Sequence, residues 1–526
     1  MVARPLFQAP LYQALLVGCI IGGTLYAYFR RRKPYPCPPG PPPLPIVGNI
    51  LDLPSDFPWL TFMQWSEKYH SDILHFTVGG SSTIVLNSME AATELLEKRG
   101  KIYSSRPDFP MLKFAGYEWS FTTMPYGPRW SALRRLVTRE FNANLPERYE
   151  PQAEKAVYTM IEKLLDDPAN LVRHIRHMTA TVIMDVTYGI KVRSSDDPYV
   201  KEAEEGVEGF VSAAIPGTFW LDYFPFLKYV PSWMPGASFQ NKAEKWRKAT
   251  SVMVNRPFEN VKEQMAKGSL DPCFVYHCLQ SGDLDDDDGL LQEKTVRQQD
   301  IKDAAANMFG AGTDTIVTAI RSFFLAMLLY PDIQHKAQKE LDQVVGSERL
   351  PEFGDRENMP YITALMYEIF RSQPVNPLGI AHLSTEDDVY KGYFISKNSI
   401  VIGNVWSMFH DPKTYPDPDK FNPDRWMIKN PISGSEKLNP DMREPVAHFG
   451  FGRRLCPGKH LATSSIWITI ASVLSVYNIS KVDGEPEPTG EYRSSLVNAP
   501  APFKCQIKPR TLEREKLVLS LHALGS

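Results

Sequence analysis

Apolar positions recur at helical spacing through much of the chain, over Trp59–Lys68, Met89–Arg99, Arg129–Phe141, Ala153–Leu165, residues 296–330, Pro331–Val345 and Tyr361–Ser372. Each stretch is long enough for a helix. Short β-branched and aromatic runs are fewer. Ile73–Val78 with Thr83–Asn87, and Val389–Ile395 with Ser399–Gly403, predict two strand pairs. The expected class is mainly α with a minor β-sheet region. No repeat and no long low-complexity linker divides residues 49–526, which read as a single large domain.

Two segments precede that domain. Pro5 to Phe29 carries no formal charge, and Leu11–Phe29 supplies ~28 Å of apolar helix, enough to cross a bilayer. Arg30, Arg31, Arg32 and Lys33 follow at once. A cleaved secretory signal has its basic start before the apolar run, whereas here the basic cluster comes after it. Residues 1–33 are therefore predicted to be an uncleaved single-pass anchor with a basic stop, leaving the rest of the chain cytoplasmic, as on the endoplasmic reticulum. Residues 34–48 hold eight prolines, which fix φ and forbid helix. They are expected to form a stiff hinge between anchor and domain.

Charge and cysteine content remove several function classes. With 58 Lys+Arg against 61 Asp+Glu the net charge is -3, so nothing draws the chain to nucleic acid. Six scattered cysteines, at 19, 37, 273, 278, 456 and 505, make neither a disulfide framework nor a paired zinc site. The run Asp283-Leu284-Asp285-Asp286-Asp287-Asp288-Gly289 fails the calcium-loop spacing, because Asp288 stands where glycine is needed. It reads as a solvated loop.

One cysteine stands in a more demanding context. Phe449-Gly450-Phe451-Gly452-Arg453-Arg454-Leu455-Cys456-Pro457-Gly458 places Cys456 after flexible glycines and a basic residue, just before the helix-length run His460–Tyr477. Free N–H groups at a helix N-terminus favour a thiolate, and a thiolate favours a soft metal. A dinucleotide fingerprint is ruled out, since its third glycine falls on Leu455.

This segment resembles the haem-binding loop of the cytochrome P450 superfamily of haem-thiolate monooxygenases. The resemblance covers essentially the whole chain and is nearest to fungal membrane-bound secondary-metabolism members of the O-methylsterigmatocystin oxidoreductase-like group. It implies the fold of that superfamily and haem b as cofactor, with Cys456 as axial iron ligand, Phe449 in the haem-binding loop, and Arg454 on a haem propionate. Trp130-Ser131-Ala132-Leu133-Arg134 resembles the family's WxxxR, whose Trp130 and Arg134 grip a propionate. His382 stands where many members carry a further haem-contacting arginine, and a neutral imidazole there could donate to a carboxylate.

Gly310-Ala311-Gly312-Thr313-Asp314-Thr315 lies inside the 296–330 helix. Its glycines are expected to weaken the helix and make room beside the iron, and by itself its Asp-Thr pair also fits a capped break. The resemblance makes Asp314 and Thr315 the catalytic acid–alcohol pair that relays protons. Glu368-Ile369-Phe370-Arg371 resembles the family's ExxR, and Phe421-Asn422-Pro423-Asp424-Arg425-Trp426 its later segment, with Asp and Trp replacing the commoner Glu and Phe. Together they imply a structural Glu–Arg–Arg cluster.

The implied partners are NADPH-cytochrome P450 reductase, with cytochrome b5 as a possible second electron donor, a small apolar substrate and a membrane. Arg135, Arg139, Arg453 and Lys459 are candidates for a basic reductase-docking patch. The aromatic run Phe219, Trp220, Tyr223, Phe224, Phe226, Tyr229 and Trp233 is a candidate membrane-interface segment. Residues 109–121 and 375–381, both mostly apolar, are the implied substrate contacts. Two alternatives stay open: a haem-thiolate isomerase or dehydratase, and a haem-binding protein without catalysis.

Overall fold

The computed structural model describes Gly18, Gly22, Gly23 and residues 35–525, apart from 194–195, 216–217, 281–290, 431–433 and 435, with backbone alone at 291–297 and 522–525. The predicted anchor thus lies almost wholly outside the described residues, and so does the Asp283–Gly289 run. Helix makes up 55% and strand 10% of the chain. The longer helices, in chain order, are α1 Pro58–Lys68, α2 Pro128–Glu140, α3 Glu150–Asp166, α4 Leu171–Tyr188, α5 Pro198–Ala213, α6 Ser238–Lys267, α7 Leu291–Leu329, α8 Pro331–Val344, α9 Pro360–Ser372, α10 Lys459–Val476 and α11 Leu512–Gly525.

α7 is the axis of the molecule, packed by α2, α4, α5, α6, α9 and α10. Its stretch 298–329 is the one helix among the described residues long and apolar enough to cross a membrane, but most of it is buried inside the protein. α10 reads LATSSIWITIASVLSV after Lys459 and His460 and is buried from Thr463 to Val476. A helix apolar or small on every side has to be enclosed, and this anchors the half-buried first turn, beside Cys456, to the core.

Four strands form the main sheet: β1 Ile73–Val78, β2 Ser81–Leu86, β3 His382–Leu383 and β6 Ile400–Gly403, in the order β1-β2-β6-β3. β2 and β6 are parallel, Thr83 opposite Ile400. The predicted pairing of Val389–Ile395 with Ser399–Gly403 is not formed. Residues 388–395 instead fold on themselves as a hairpin, β4 Asp388–Tyr390 against β5 Tyr393–Ile395. Lys391 and Gly392 both take positive φ at its two-residue turn, the conformation that suits the twist of a tight hairpin.

The proline-rich segment is held along β1. The N–H of His75 donates to Pro39 O (3.0 Å), that of Phe394 to Pro36 O (2.8 Å), and a Cβ on Gly40 would come within 2.0 Å of His75 O. Helices α4, α5 and α6 are not predicted from the pattern. α4 is rich in β-branched residues, and α6 holds Pro257 in its interior, yet both are carried by buried faces against α7.

Candidate active site

The loop before α10 is shaped by its glycines. Gly450 and Gly452 have φ of 90° and 51°, and a Cβ on Gly452 would lie 2.4 Å from Leu96 O, so only glycine fits there. The loop closes when the N–H of Cys456 donates to Phe449 O at 2.8 Å. Phe449 is itself held edge-on by Phe370 of α9, at 5.6 Å between ring centroids. Burial pushes the Cys456 thiol up, against the opposing pull of the Gly458 N–H and Arg134. The Gly458 N–H at the helix start acts in the direction expected from the sequence, and burial acts against it. A coordinating cation would ionise the thiol outright.

Cys456 opens into a cavity of about 310 Å³. All eight residues singled out from the sequence line it: Trp130 and Arg134 from α2, Asp314 and Thr315 from α7, His382 from β3, and Phe449, Arg454 and Cys456 from the loop. Elsewhere the walls are mostly apolar, with Phe121, Val207, Phe210, Ile316 and Val497 among them.

On one side stand three guanidinium groups without carboxylate partners among the described residues. Arg454 donates to the carbonyls of Ser104 (2.7 Å), Phe121 (3.1 Å) and Met124 (2.7 Å), with its guanidinium 4.3 Å from the centre of the Trp130 ring. Arg134 donates to Leu455 O (2.6 Å), and Arg106 to the carbonyls of Thr122, Ile380 and Ala381. Burial first and mutual repulsion second push Arg106 well down and Arg454 down to about 9. Three such cations drawn together inside a protein are costly unless an anion joins them. Arg106 is not anticipated from the sequence. Ser104-Ser105-Arg106-Pro107 matches no motif, and its neighbours are brought in from residues 122 and 380–381.

Across the cavity, Thr315 Oγ1 donates to Ala311 O (2.8 Å) and Thr313 Oγ1 to Phe309 O (2.7 Å). α7 runs through this segment without a break, so the predicted weakening is limited to these back-bonded hydroxyls. Gly312 also serves packing, since a Cβ there would meet Ile183 of α4 at 3.0 Å. Burial raises the Asp314 carboxyl even though Arg176 lies 3.6 Å away, and Arg176 in turn pairs with half-exposed Glu204 at 2.7 Å. The line Asp314–Arg176–Glu204 runs from the cavity to solvent.

The cytochrome P450 family model matches residues 38–507. This chain belongs to the cytochrome P450 family. It is 42% identical over 506 residues to cytochrome P450 monooxygenase 98 of Postia placenta, covering 94% of this chain and 95% of that one. It is 40% identical over 514 residues to tryptamine 4-monooxygenase of Psilocybe cyanescens, covering 96% and 99%. It is also 40% identical to cytochrome P450 monooxygenase COX2 of Coprinopsis cinerea, over 92% and 90%. The protein is a haem-dependent monooxygenase, an oxidoreductase that incorporates oxygen, with haem b as its cofactor.

The cavity of this cytochrome P450 fits that cofactor. Its unpaired guanidinium groups suit a group carrying two carboxylates, and Cys456 supplies the soft donor iron requires. His382 fits less simply than the sequence suggests. Its Nδ1 lies 2.7 Å from Tyr103 O, which can only accept, so the neutral ring carries its proton there and presents Nε2 as an acceptor. Burial, Arg106 and Arg454 push the ring well below the usual histidine range, against donation from Nε2 to a carboxylate.

Behind the loop, the cluster on Glu368 is complete and lies outside the cavity. Arg371 meets it twice (2.9 and 2.7 Å), Arg425 Nε at 3.2 Å and the N–H of Asn422 at 2.9 Å. The unusual Trp426 adds an indole N–H at 3.0 Å that phenylalanine lacks, and the unusual Asp424 turns outward to Lys336.

Proposed function

We propose that this cytochrome P450 is anchored by residues 1–33 with its 49–526 domain in the cytoplasm, and oxidises a small, neutral, apolar secondary metabolite with electrons from NADPH through a membrane-bound flavoprotein reductase. When bound, haem supplies the iron at which dioxygen is activated and one oxygen atom is transferred. The observation that carries the reading is that one cavity joins Cys456, an unpaired guanidinium cluster and the pair Asp314–Thr315. Cys456 holds the iron. Arg106, Arg134 and Arg454 hold the propionates, and Trp130 offers Arg454 a flat face to rest on. Thr315 presents its hydroxyl to the cavity, and Asp314 passes protons inward from the Arg176–Glu204 side. This pair favours oxygen transfer over the isomerase and carrier readings, neither of which needs a proton supply.

Expression with a fungal reductase, NADPH and isotopically heavy dioxygen tests the reading. One heavy oxygen is expected in a product formed from a pooled panel of terpenes, polyketides and indoles, and none with Cys456→Ala. A product formed without label would support the isomerase reading.

The membrane reading gains support from an exposed aromatic surface. Trp220 (61% exposed), Phe224, Phe226, Tyr229 and Trp233 (80%) project outward, whereas Phe219 packs on Trp246 and Tyr223 against the Gly79 turn. Gly79 N–H reaches Val47 O, which places exposed Val47 and neighbouring Ile46 (95%) near the same face. A chain lacking residues 1–33 is expected to keep measurable affinity for liposomes, and Trp220→Ser with Trp233→Ser to reduce it several-fold in a flotation assay.

For reductase docking, Arg135, Arg139 and Arg453 are exposed, but Lys459 is half-buried and met by Glu444 at 3.3 Å, so it contributes little. Arg135→Glu with Arg453→Glu is expected to slow reductase-dependent haem reduction about tenfold at low salt, with substrate affinity unchanged. An unaltered rate in stopped-flow would remove this surface from consideration.

A further inference from the structure

One polar feature of the cavity is used by neither the haem nor the acid–alcohol pair. Asn307 of α7 and Ser120, in the loop before α2, both line the cavity and are 5% and 3% exposed. Asn307 Nδ2 donates to two main-chain carbonyls, Asp303 O at 2.8 Å and Trp119 O at 3.3 Å. These bonds fix the amide, because turning it over would press Oδ1 against both carbonyls. Oδ1 accepts from Ser120 Oγ at 3.1 Å, so the serine proton is committed too. Toward the cavity there remains only acceptor capacity on this pair: a lone pair on Oδ1 and those of Oγ.

Several neighbouring donors of the wall are spent within the protein. Trp119 Nε1 donates to Thr250 Oγ1 (3.1 Å), and the Tyr117 hydroxyl to Gly206 O (2.5 Å). The Asn376 amide, turned over as its surroundings require, donates to the carbonyls of Val375 and Leu496. Asp314 is the only carboxylate among the described residues lining the cavity, and Arg176 stands beside it. A protonated amine at Asn307 would thus be without a carboxylate from the cavity lining to balance its charge.

We propose that Ser120 and Asn307 accept a hydrogen bond from a substrate hydroxyl, so that the enzyme acts on apolar molecules that already carry an alcohol, at a carbon remote from it. This deepens the monooxygenase reading and rests on it. Asn307 precedes Thr315 by eight residues, about 12 Å along α7. The alcohol is therefore held a skeleton's length from the acid–alcohol pair. The step that supplies the substrate must be one that installs an alcohol, such as a cyclisation ended by water or an earlier hydroxylation.

Holoprotein titrated with farnesol, farnesal and farnesene, read by the shift of haem absorption, tests this. The carbon monoxide spectrum of each preparation is taken first. Farnesol is expected to bind about tenfold more tightly than the aldehyde or the hydrocarbon, the scale of one buried hydrogen bond. Ser120→Ala should remove most of that preference and leave farnesene binding unchanged. Asn307→Leu should abolish or reverse it. Equal affinity for the three probes, no binding of farnesol, tighter binding of tryptamine, or equal losses for alcohol and hydrocarbon in the variants each overturn the proposal. A wild-type preparation that takes up haem without a thiolate-type carbon monoxide spectrum overturns the haem-thiolate reading instead.

Discussion

Replacing Glu368 with alanine is expected to abolish recovery of folded holoprotein. The carboxylate is fully buried and is the one acid shared by Arg371 and Arg425, with the Asn422 and Trp426 N–H groups as further donors. Removing it leaves the wholly buried Arg371 guanidinium with carbonyl partners only, at Phe409 and Lys420. Breaking a buried pair from one side costs about 3–5 kcal/mol, against a total of about 5–15 kcal/mol for a typical native state. The cost falls where it matters for the haem, because Phe370 of the same helix braces Phe449 and His448 of the cysteine loop. Glu368→Gln keeps the volume and loses the charge, so it should yield some folded protein of reduced melting temperature. Thermal unfolding and haem content, compared across both variants, check this. A Glu368→Ala protein with normal haem content would show that the cluster does not support the loop.

Asp314→Asn is expected to lower turnover by about 10²-fold or more, the scale of a lost general acid–base group, while substrate and haem binding stay intact. The fold should tolerate the change, since among the described residues the side chain has no partner closer than Arg176 at 3.6 Å and is isosteric with its replacement. Burial raises the carboxyl above its usual range, so Asp314 holds its proton to higher pH than a free carboxylate and can give it up inside the cavity. Asparagine cannot. Thr315→Ala should instead raise NADPH consumption per product formed, because the hydroxyl that orders the proton's last step is lost. Product and NADPH measured together separate the two variants. Equal turnover in Asp314→Asn and wild type would remove the acid from the mechanism.

What could be read from the chain divides along the reach of each signal. Cys456 and Arg454 stand in one continuous run, and the pairs Trp130–Arg134, Asp314–Thr315 and Glu368–Arg371 each lie within a single helix, so local spacing identifies them. Arg106 has no such signature, because its role comes from carbonyls 16 and 275 residues away. The acceptor pair Ser120–Asn307 spans 187 residues and is equally silent in sequence. Local preference also misleads where tertiary packing overrides it. α4 carries the β-branched run Thr181-Val182-Ile183 yet is helical, because it lies against α7. His382 lines the cavity, but its tautomer depends on Tyr103 O, 279 residues earlier. The hairpin at Lys391-Gly392 was hidden inside what reads as one strand, although its glycine is a turn signal.

The most direct test of the account is the carbon monoxide difference spectrum of the reduced protein, taken for the wild type and for Cys456→His in parallel. The wild type is expected to give the red-shifted band of thiolate-ligated haem. The variant should retain haem, through the guanidinium groups of Arg106, Arg134 and Arg454, but lose that band for the one of imidazole-ligated haem. A thiolate-type band that survives in Cys456→His would contradict the assignment of the iron to Cys456, and with it the placement of the whole site.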